Sequence, residues 1–320
     1  MIRRIVCLST ICLSFLAAAC GGAPSSGSTS SGQQTLGIVT FSTSDVITNR
    51  FLDAVKAGME KKGWKVDSVD ANGSLANANT AMRALVTRKV SAILVTVFPA
   101  SSLTEGLAAT RQAGIPVVDA GGGLGDGVGL AIDTGIPGPM VNYMLRQIND
   151  QGKVLNLTYH PGLPCRERAD AMDAAAKAHP GIQLTDHEIS IPGAAETSQA
   201  ATAAWLAANP PGSASSFAIF NCYDDNAMGA IAALKQANRT DVKVYSFNGT
   251  PPALQAIKDG WMTATLWLDL VASSSTIIDD LPKMVGNSNW KAKDVPSPYV
   301  IVDKGNIDQF EAQHPGVANS

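Results

Sequence analysis

From Leu36 onward, short apolar runs alternate with segments of helical period. LGIVTF precedes NRFLDAVKAGMEKKG, WKVDSVDA precedes ANANTAMRALVTRK, AILVTV precedes LTEGLAATRQAG, and IPVVDAG follows. Near-continuous apolar strands separated by helices imply a parallel sheet covered on both faces. In the first helix Phe51, Leu52, Val55 and Met59 form one stripe toward the sheet, and Gly63 supplies a left-handed end. After GGGLGDGVG and GLAIDT the rhythm restarts: KVLNLTY, IQLTDHEISI, SFAIFNC, VKVYSFN and MTATLWLD alternate with CRERADAMDAAAKAHPG, ETSQAATAAWLAANP, DDNAMGAIAALKQANR and PPALQAIKDG. Two series of similar length predict an α/β chain of two similar doubly wound parallel-sheet lobes.

The chain is expected to cross between lobes at 133–135, 268–269 and 298–300, a three-strand hinge. This assigns 36–133 plus 269–298 to an N-terminal lobe and 134–268 plus 299–320 to a C-terminal lobe. Ligands of open parallel sheets sit beyond the carboxyl ends of the strands, near unpaired N–H groups of the next helix. The loops at 43–51, 97–101, 119–122, 159–168, 223–226 and 248–250 are therefore expected to line one cleft that closes about the hinge.

The N-terminus stands apart from this pattern. MIRR followed by IVCLSTICLSFLAAA is a basic start and an apolar run too short to span a bilayer comfortably, which reads as an export signal over 1–19. AAAC resembles the cleavage box of bacterial lipoproteins, with Ala17 where leucine is usual. The resemblance implies lipidation of Cys20 and a flexible tether over 20–35; an ordinary cleaved signal peptide is the alternative. The formal net charge is −3, and losing Arg3 and Arg4 makes the remainder more acidic, which argues against a nucleic-acid partner. Cys165 and Cys222 are the cysteines left for the folded part, a candidate disulfide in an oxidising compartment.

AGIPVVDA, CRERADAM, YDDNAMGAIAALKQA and DVKVYSFNGTPPALQAIKDGWMTATL, in this order, resemble segments of periplasmic sugar-binding proteins of the ribose-binding type. The resemblance implies a type I periplasmic-binding fold that captures a small solute (sugar, polyol or related metabolite) and delivers it to an ABC permease. It implies ligand contacts at Asn49, Phe51 and Arg166. Asn248 stands where the family has a carboxylate for sugar hydroxyls, and Tyr223, Leu268, Val97 and Leu52 stand where it has two amides, a third amide and a stacking ring. Gly121 and Gly122 replace an Asp-Arg pair. Each hydroxyl left unpaired in a desolvated cleft costs roughly 1–3 kcal/mol, so the pocket is expected to be roomier and less polar than a standard sugar site. Phe98, Trp267, Tyr159 and Tyr223 are expected as walls.

Each candidate has a plainer structural alternative. Arg166 could be an exposed residue of a helix start, Asn248 a turn-former, Asp224 a helix N-cap, and Asp119 a residue of the cleft or of the hinge. His160 close before Cys165 suggests a nucleophile–base pair, but an exported chain with a second cysteine favours the disulfide. GGGLGDGVG fits no dinucleotide fingerprint, GK at 152–153 lacks the following Ser or Thr of a phosphate loop, and the four histidines have no metal-site spacing. No enzyme, metal or cofactor is expected. The chain is expected to be a monomer, lipid-anchored on the outer face of the cell membrane. A ligand-sensing co-receptor of the same fold is the alternative function.

Overall fold

The computed structural model describes residues 32–317. The leader, Cys20 and most of the tether lie outside the described residues, as do 318–320. The first series runs β1 (Thr35–Thr40), α1 (Val46–Lys61), β2 (Lys65–Asp70), α2 (Leu75–Thr87), β3 (Ala92–Thr96), α3 (Thr104–Ala113), β4 (Val117–Ala120) and β5 (Val128–Asp133). The second runs α4 (Pro137–Ile148), β6 (Gly152–Thr158), α5 (Leu163–Ala178), β7 (Ile182–Glu188), α6 (Ala194–Ala208), β8 (Phe217–Asn221), α7 (Asp224–Gln236), β9 (Val242–Asn248), α8 (Pro251–Lys258) and β10 (Ala264–Leu268). The chain ends with α9 (Leu270–Met284), β11 (Lys293–Pro296), β12 (Tyr299–Asp303) and α10 (Ile307–Gln313).

Among the described residues these strands make two six-stranded sheets, ordered β11-β5-β4-β3-β1-β2 and β12-β10-β9-β8-β6-β7. All pairings are parallel except β10 with β12. The central strand β3, AILVT, is buried along its whole length, as a parallel strand covered on both faces must be. The edge strands β2 and β7 are largely exposed and carry the polar residues.

Each sheet has a core on both faces. On the first sheet, Met82, Leu85 and Leu107 of α2 and α3 pack on one side. Phe51, Leu52, Val55 and Met59 of α1 join Ile277 and Leu281 of α9 on the other. On the second, Trp205, Leu234, Ile257 and Phe310 cover one face, and Met140, Met144 and Met172 cover the other. Each large apolar side chain so buried contributes about 1.5–3 kcal/mol, opposed by ordering entropy. Helix starts follow capping chemistry: Asp45, Ser74, Thr250 and Asp269 accept N–H bonds at the heads of α1, α2, α8 and α9. Gly63, at φ 83°, turns the chain left-handed after α1.

Several elements escape the hydrophobic pattern. Helix α4 opens on Pro137-Gly138-Pro139, and α9 contains Ser273-Ser274-Ser275 and Pro282, all weak helix formers. Strand β11, KDVP, is short and polar because it lies on an edge.

The chain passes between sheets at 134–136, at 269 and at 297–298. These crossings are bonded to one another: Ser297 N–H donates to Asp133 O (2.9 Å), Asp269 N–H to Pro298 O (2.8 Å), and the Ser273 and Ser297 hydroxyls lie 2.9 Å apart.

Helices α6 and α7 touch closely at Gly229, where an added Cβ would overlap the carbonyl oxygen of Ala195. Gly229→Ala is expected to destabilise the fold by about 1–3 kcal/mol, the usual cost of overpacking. Urea unfolding monitored by circular dichroism checks this, with an unchanged midpoint as the contrary result.

Candidate functional site

The carboxyl ends of strands from both sheets face one gap. Phe41, Asp45, Ile47, Thr48 and Phe51 reach it from β1 and the head of α1, Thr96 and Val97 from β3, and Ala120 from β4. Tyr159, Pro164, Cys165, Arg168, Tyr223 and Asn248 reach it from the second lobe, and Thr134, Leu268 and Leu270 from the crossings. The free volume within the gap is about 90 Å³. Counted with its open mouth, the gap is about 750 Å³.

Two cleft residues hold backbone conformations that side chains disfavour. Val97 has φ 70° and Asn248 φ 103°. Such positions cost on the order of 1–3 kcal/mol each, and for a β-branched valine left-handed backbone is a true outlier. Val97 is held by its N–H bond to Ala120 O (2.9 Å). Asn248 ends β9 opposite Trp267 of β10. Its side-chain amide has no hydrogen-bond partner among the described residues and lines the cleft. An amide offering both donors and an acceptor there can bind a hydroxyl-bearing solute.

Phe51, Tyr223 and Asn248 of the expected contacts line the cleft together. The others are placed elsewhere. The Asn49 amide donates to Ser42 O (3.2 Å) and Thr43 O (3.0 Å), bracing its own loop. Phe98 is buried against Phe41, ring centroids 4.9 Å apart. Arg166 is half-buried outside the lining, where Arg168 points inward instead. Tyr159 and Tyr223 are walls, but Trp267 packs on Phe310 and His314. Val97 and Leu268, at amide positions of the resembled family, line the gap, while Leu52 turns into the core.

Arg168 is the functional group that reading the sequence missed. It is 3% exposed and donates to the carbonyls of Thr134, Gly135 and Cys222, while its guanidinium lies 4.0 Å from the Phe247 ring centre. Burial lowers its pKa to about 9, so it stays charged at neutral pH. It ties the first crossing to the second lobe. Cys165 and Cys222 are joined as a disulfide, Cα atoms 4.9 Å apart, which fastens α5 to the loop after β8 beside the same arginine. His160 Nδ1 pairs instead with Glu188 (2.6 Å), so no thiol–imidazole pair exists.

Asp224 is the first residue of α7, with Tyr223 as N-cap. Its buried carboxylate accepts from Thr250 N–H (2.7 Å) and the Thr265 hydroxyl (2.9 Å), so it locks the loop that presents Asn248. Asp119 is wholly buried beside Gly122 and Phe98 with no well-aligned hydrogen bond, and burial raises its pKa well above the usual carboxylate range. Asp45 is also raised, chiefly by burial, although its carboxylate caps α1 through Thr48.

Residues 36–282 match the family described as periplasmic binding protein domain. The ribose import binding protein of Salmonella typhimurium is 26% identical over 229 residues, covering 69% of this chain and 75% of that one. An ABC transporter solute-binding protein from Agrobacterium vitis, solved with bound allitol, superposes with TM-score 0.79 at 22% identity, covering 88% of this chain and 99% of that one. One from Mycobacterium smegmatis, solved with bound glycerol, gives 0.74 at 25% identity, covering 87% and 96%.

Burial raises the Asp224 pKa to about 6. Between its unfolded value near 4 and about 6 the native state holds the extra proton, so this contribution to stability is full at acid pH and is lost as pH rises through 6. Its size is on the order of 3 kcal/mol. Asp224→Asn, which keeps an acceptor for Thr250 and a partner for Thr265, is expected to flatten the fall in unfolding free energy from pH 4 to 7. Urea titrations of both proteins at several pH values check this, and equal slopes would exclude the effect.

Proposed function

The chain belongs to the periplasmic binding protein domain family, and on that premise we propose that it captures a small polyol or sugar-like solute between its lobes and delivers it unchanged to an ABC permease. The observation that carries the reading is the cleft itself: strand ends of both lobes converge on Asn248, whose amide is unengaged among the described residues and held in strained backbone. A solute that touches both lobes favours the closed arrangement, because only differential contacts shift an equilibrium. Phe41, Phe51, Tyr159 and Tyr223 offer ring faces to the C–H side of such a solute, and Asn248, Thr48 and Thr134 offer polar atoms to its hydroxyls. The relatives' ribose and allitol are of this class. With so few polar groups lining the cleft, a compact solute with an apolar face fits better than one that needs every hydroxyl paired.

Export and lipid anchoring at Cys20 complete the proposal. The leader and the AAAC box support it, as does the Cys165–Cys222 disulfide, which suits an oxidising compartment. Mass spectrometry of the protein from membranes tests the anchor: a diacylglyceryl adduct on an N-terminal Cys20 is expected, and an unmodified mature N-terminus at any residue refutes it.

Thermal-shift screening against sugars and polyols, including ribose and allitol, tests the capture. A true ligand at 100-fold its Kd stabilises by about 2.7 kcal/mol. Asn248→Ala is expected to weaken that ligand roughly 2- to 10-fold by calorimetry, the worth of one neutral hydrogen bond. Absence of any shift across the panel would refute the solute class, and an unchanged Kd in the variant would remove Asn248 from the site.

A further inference from the structure

The lobes meet directly beside the cleft, through a notch made of absent side chains. Gly121, Gly122 and Gly123 follow β4 in the first lobe; facing them are Leu163 and Pro164, the opening residues of α5 in the second. A Cβ at Gly121 would stand 3.2 Å from Pro164 Cγ, and one at Gly123 would stand 3.2 Å from Leu163 Cδ2. Both glycines are left-handed, at φ 85° and 78°. At Gly122 a Cβ would overlap the Phe98 carbonyl oxygen and the Asp119 carboxylate. The first turn of α5 therefore enters space that ordinary residues would fill. Where the resembled family carries an Asp-Arg pair, this chain has room for a piece of the opposite lobe.

A backbone bond closes the contact. Leu163 N–H, one of the unpaired donors at the head of α5, donates to Val97 O (3.1 Å) in the first lobe. A Cβ on Gly162 would lie 3.1 Å from Val97 Cγ1, so that glycine also permits the approach. Val97 accepts this bond from a left-handed backbone, at φ 70°. Nearby, the Tyr159 ring meets Phe41 edge-on at 6.1 Å, and Tyr159 and Ile191 pack against the apolar cluster of the first lobe.

We propose that Gly121–Gly123, Val97 and Leu163–Pro164 form an interlobe latch, whose contacts favour the closed arrangement and so raise the apparent affinity for a solute that the cleft admits. The proposal rests on the solute-capture reading for its consequence, though not for its geometry. Apparent affinity is the intrinsic affinity scaled by the fraction of protein in the binding-competent state. A latch that populates the closed state lends affinity to a solute whose own polar contacts are few. The gain is the same factor for every solute, so it raises weak intrinsic affinities without itself discriminating among solutes.

The test begins with the ligand-free wild-type protein, by amide hydrogen exchange at Leu163 and by small-angle X-ray scattering. Closed through the latch, the Leu163 amide is expected to be protected and the scattering to match the compact form. Leu163→Pro removes that N–H at the first helical position, where proline is favoured, and Gly162 before it is already extended at φ −93° and ψ 125°. This variant is expected to scatter as a more open particle and to bind any solute found by screening at least 10-fold more weakly. Gly162→Val, which crowds Val97 from a backbone already extended at φ −93°, is expected to do the same, and circular dichroism verifies that each variant folds. Rapid exchange at Leu163 in ligand-free wild type while the rest of α5 stays protected would overturn the latch. So would identical scattering of wild type and both folded variants. A protected Leu163 amide with no stabilising sugar or polyol would leave the latch standing and refute the solute class alone.

Discussion

Each sheet buries both of its faces against its own helices, so each lobe completes its core without the other. That constraint governs the rest of the molecule. With four apolar layers satisfied separately, two on each sheet, the soft coordinate left is the angle between lobes. Three crossings join the lobes, and the bonds Ser297 to Asp133 and Asp269 to Pro298 tie them into one strip. Leu270 touches apolar clusters of both lobes at the strip.

The cleft is the place where local preferences are overruled. Val97 and Asn248 take left-handed backbone at the ends of β3 and β9, one in each lobe, and both face the gap. Strain of this kind persists only when the surroundings over-determine it. At Asn248 the surroundings are the network of Asp224, Thr250 and Thr265, which ties the loop after β9 to the head of α7. At Val97 they are the bond to Ala120 and the interlobe bond from Leu163.

The charged groups near the cleft serve position more than recognition. Arg168 spends its donors on three backbone carbonyls and stacks on Phe247. A buried cation so engaged is held by geometry, and removing it would leave those carbonyls unpaired in a dry site. Asp224 plays the matching part at the head of α7. Between them they hold in place the loops that carry the neutral contacts, which is why the lining can be mostly apolar while its frame is ionic.

The strand–helix alternation, the two series and the face that α1 buries were legible in the order of residues, because parallel strands read as continuous apolar runs and helices as stripes. Helices α4 and α9 were not, since prolines and a serine run weaken their local preference and tertiary packing overrides it. The cleft was legible as a set of loops, but not which side chains enter it. Arg166 and Arg168 sit about 200° apart around a helix, and only docking of α5 on its sheet decides that Arg168 faces inward. Asn49 and Phe51 differ likewise: one amide finds carbonyls in its own loop, and one ring meets the gap. The two folded-part cysteines could be counted from the sequence, whereas their bond depends on β6 and β8 lying side by side. The contact of the glycine notch with Leu163 and Pro164 was invisible for the same reason, because it joins residues of separate lobes and exists only when both are folded and facing each other.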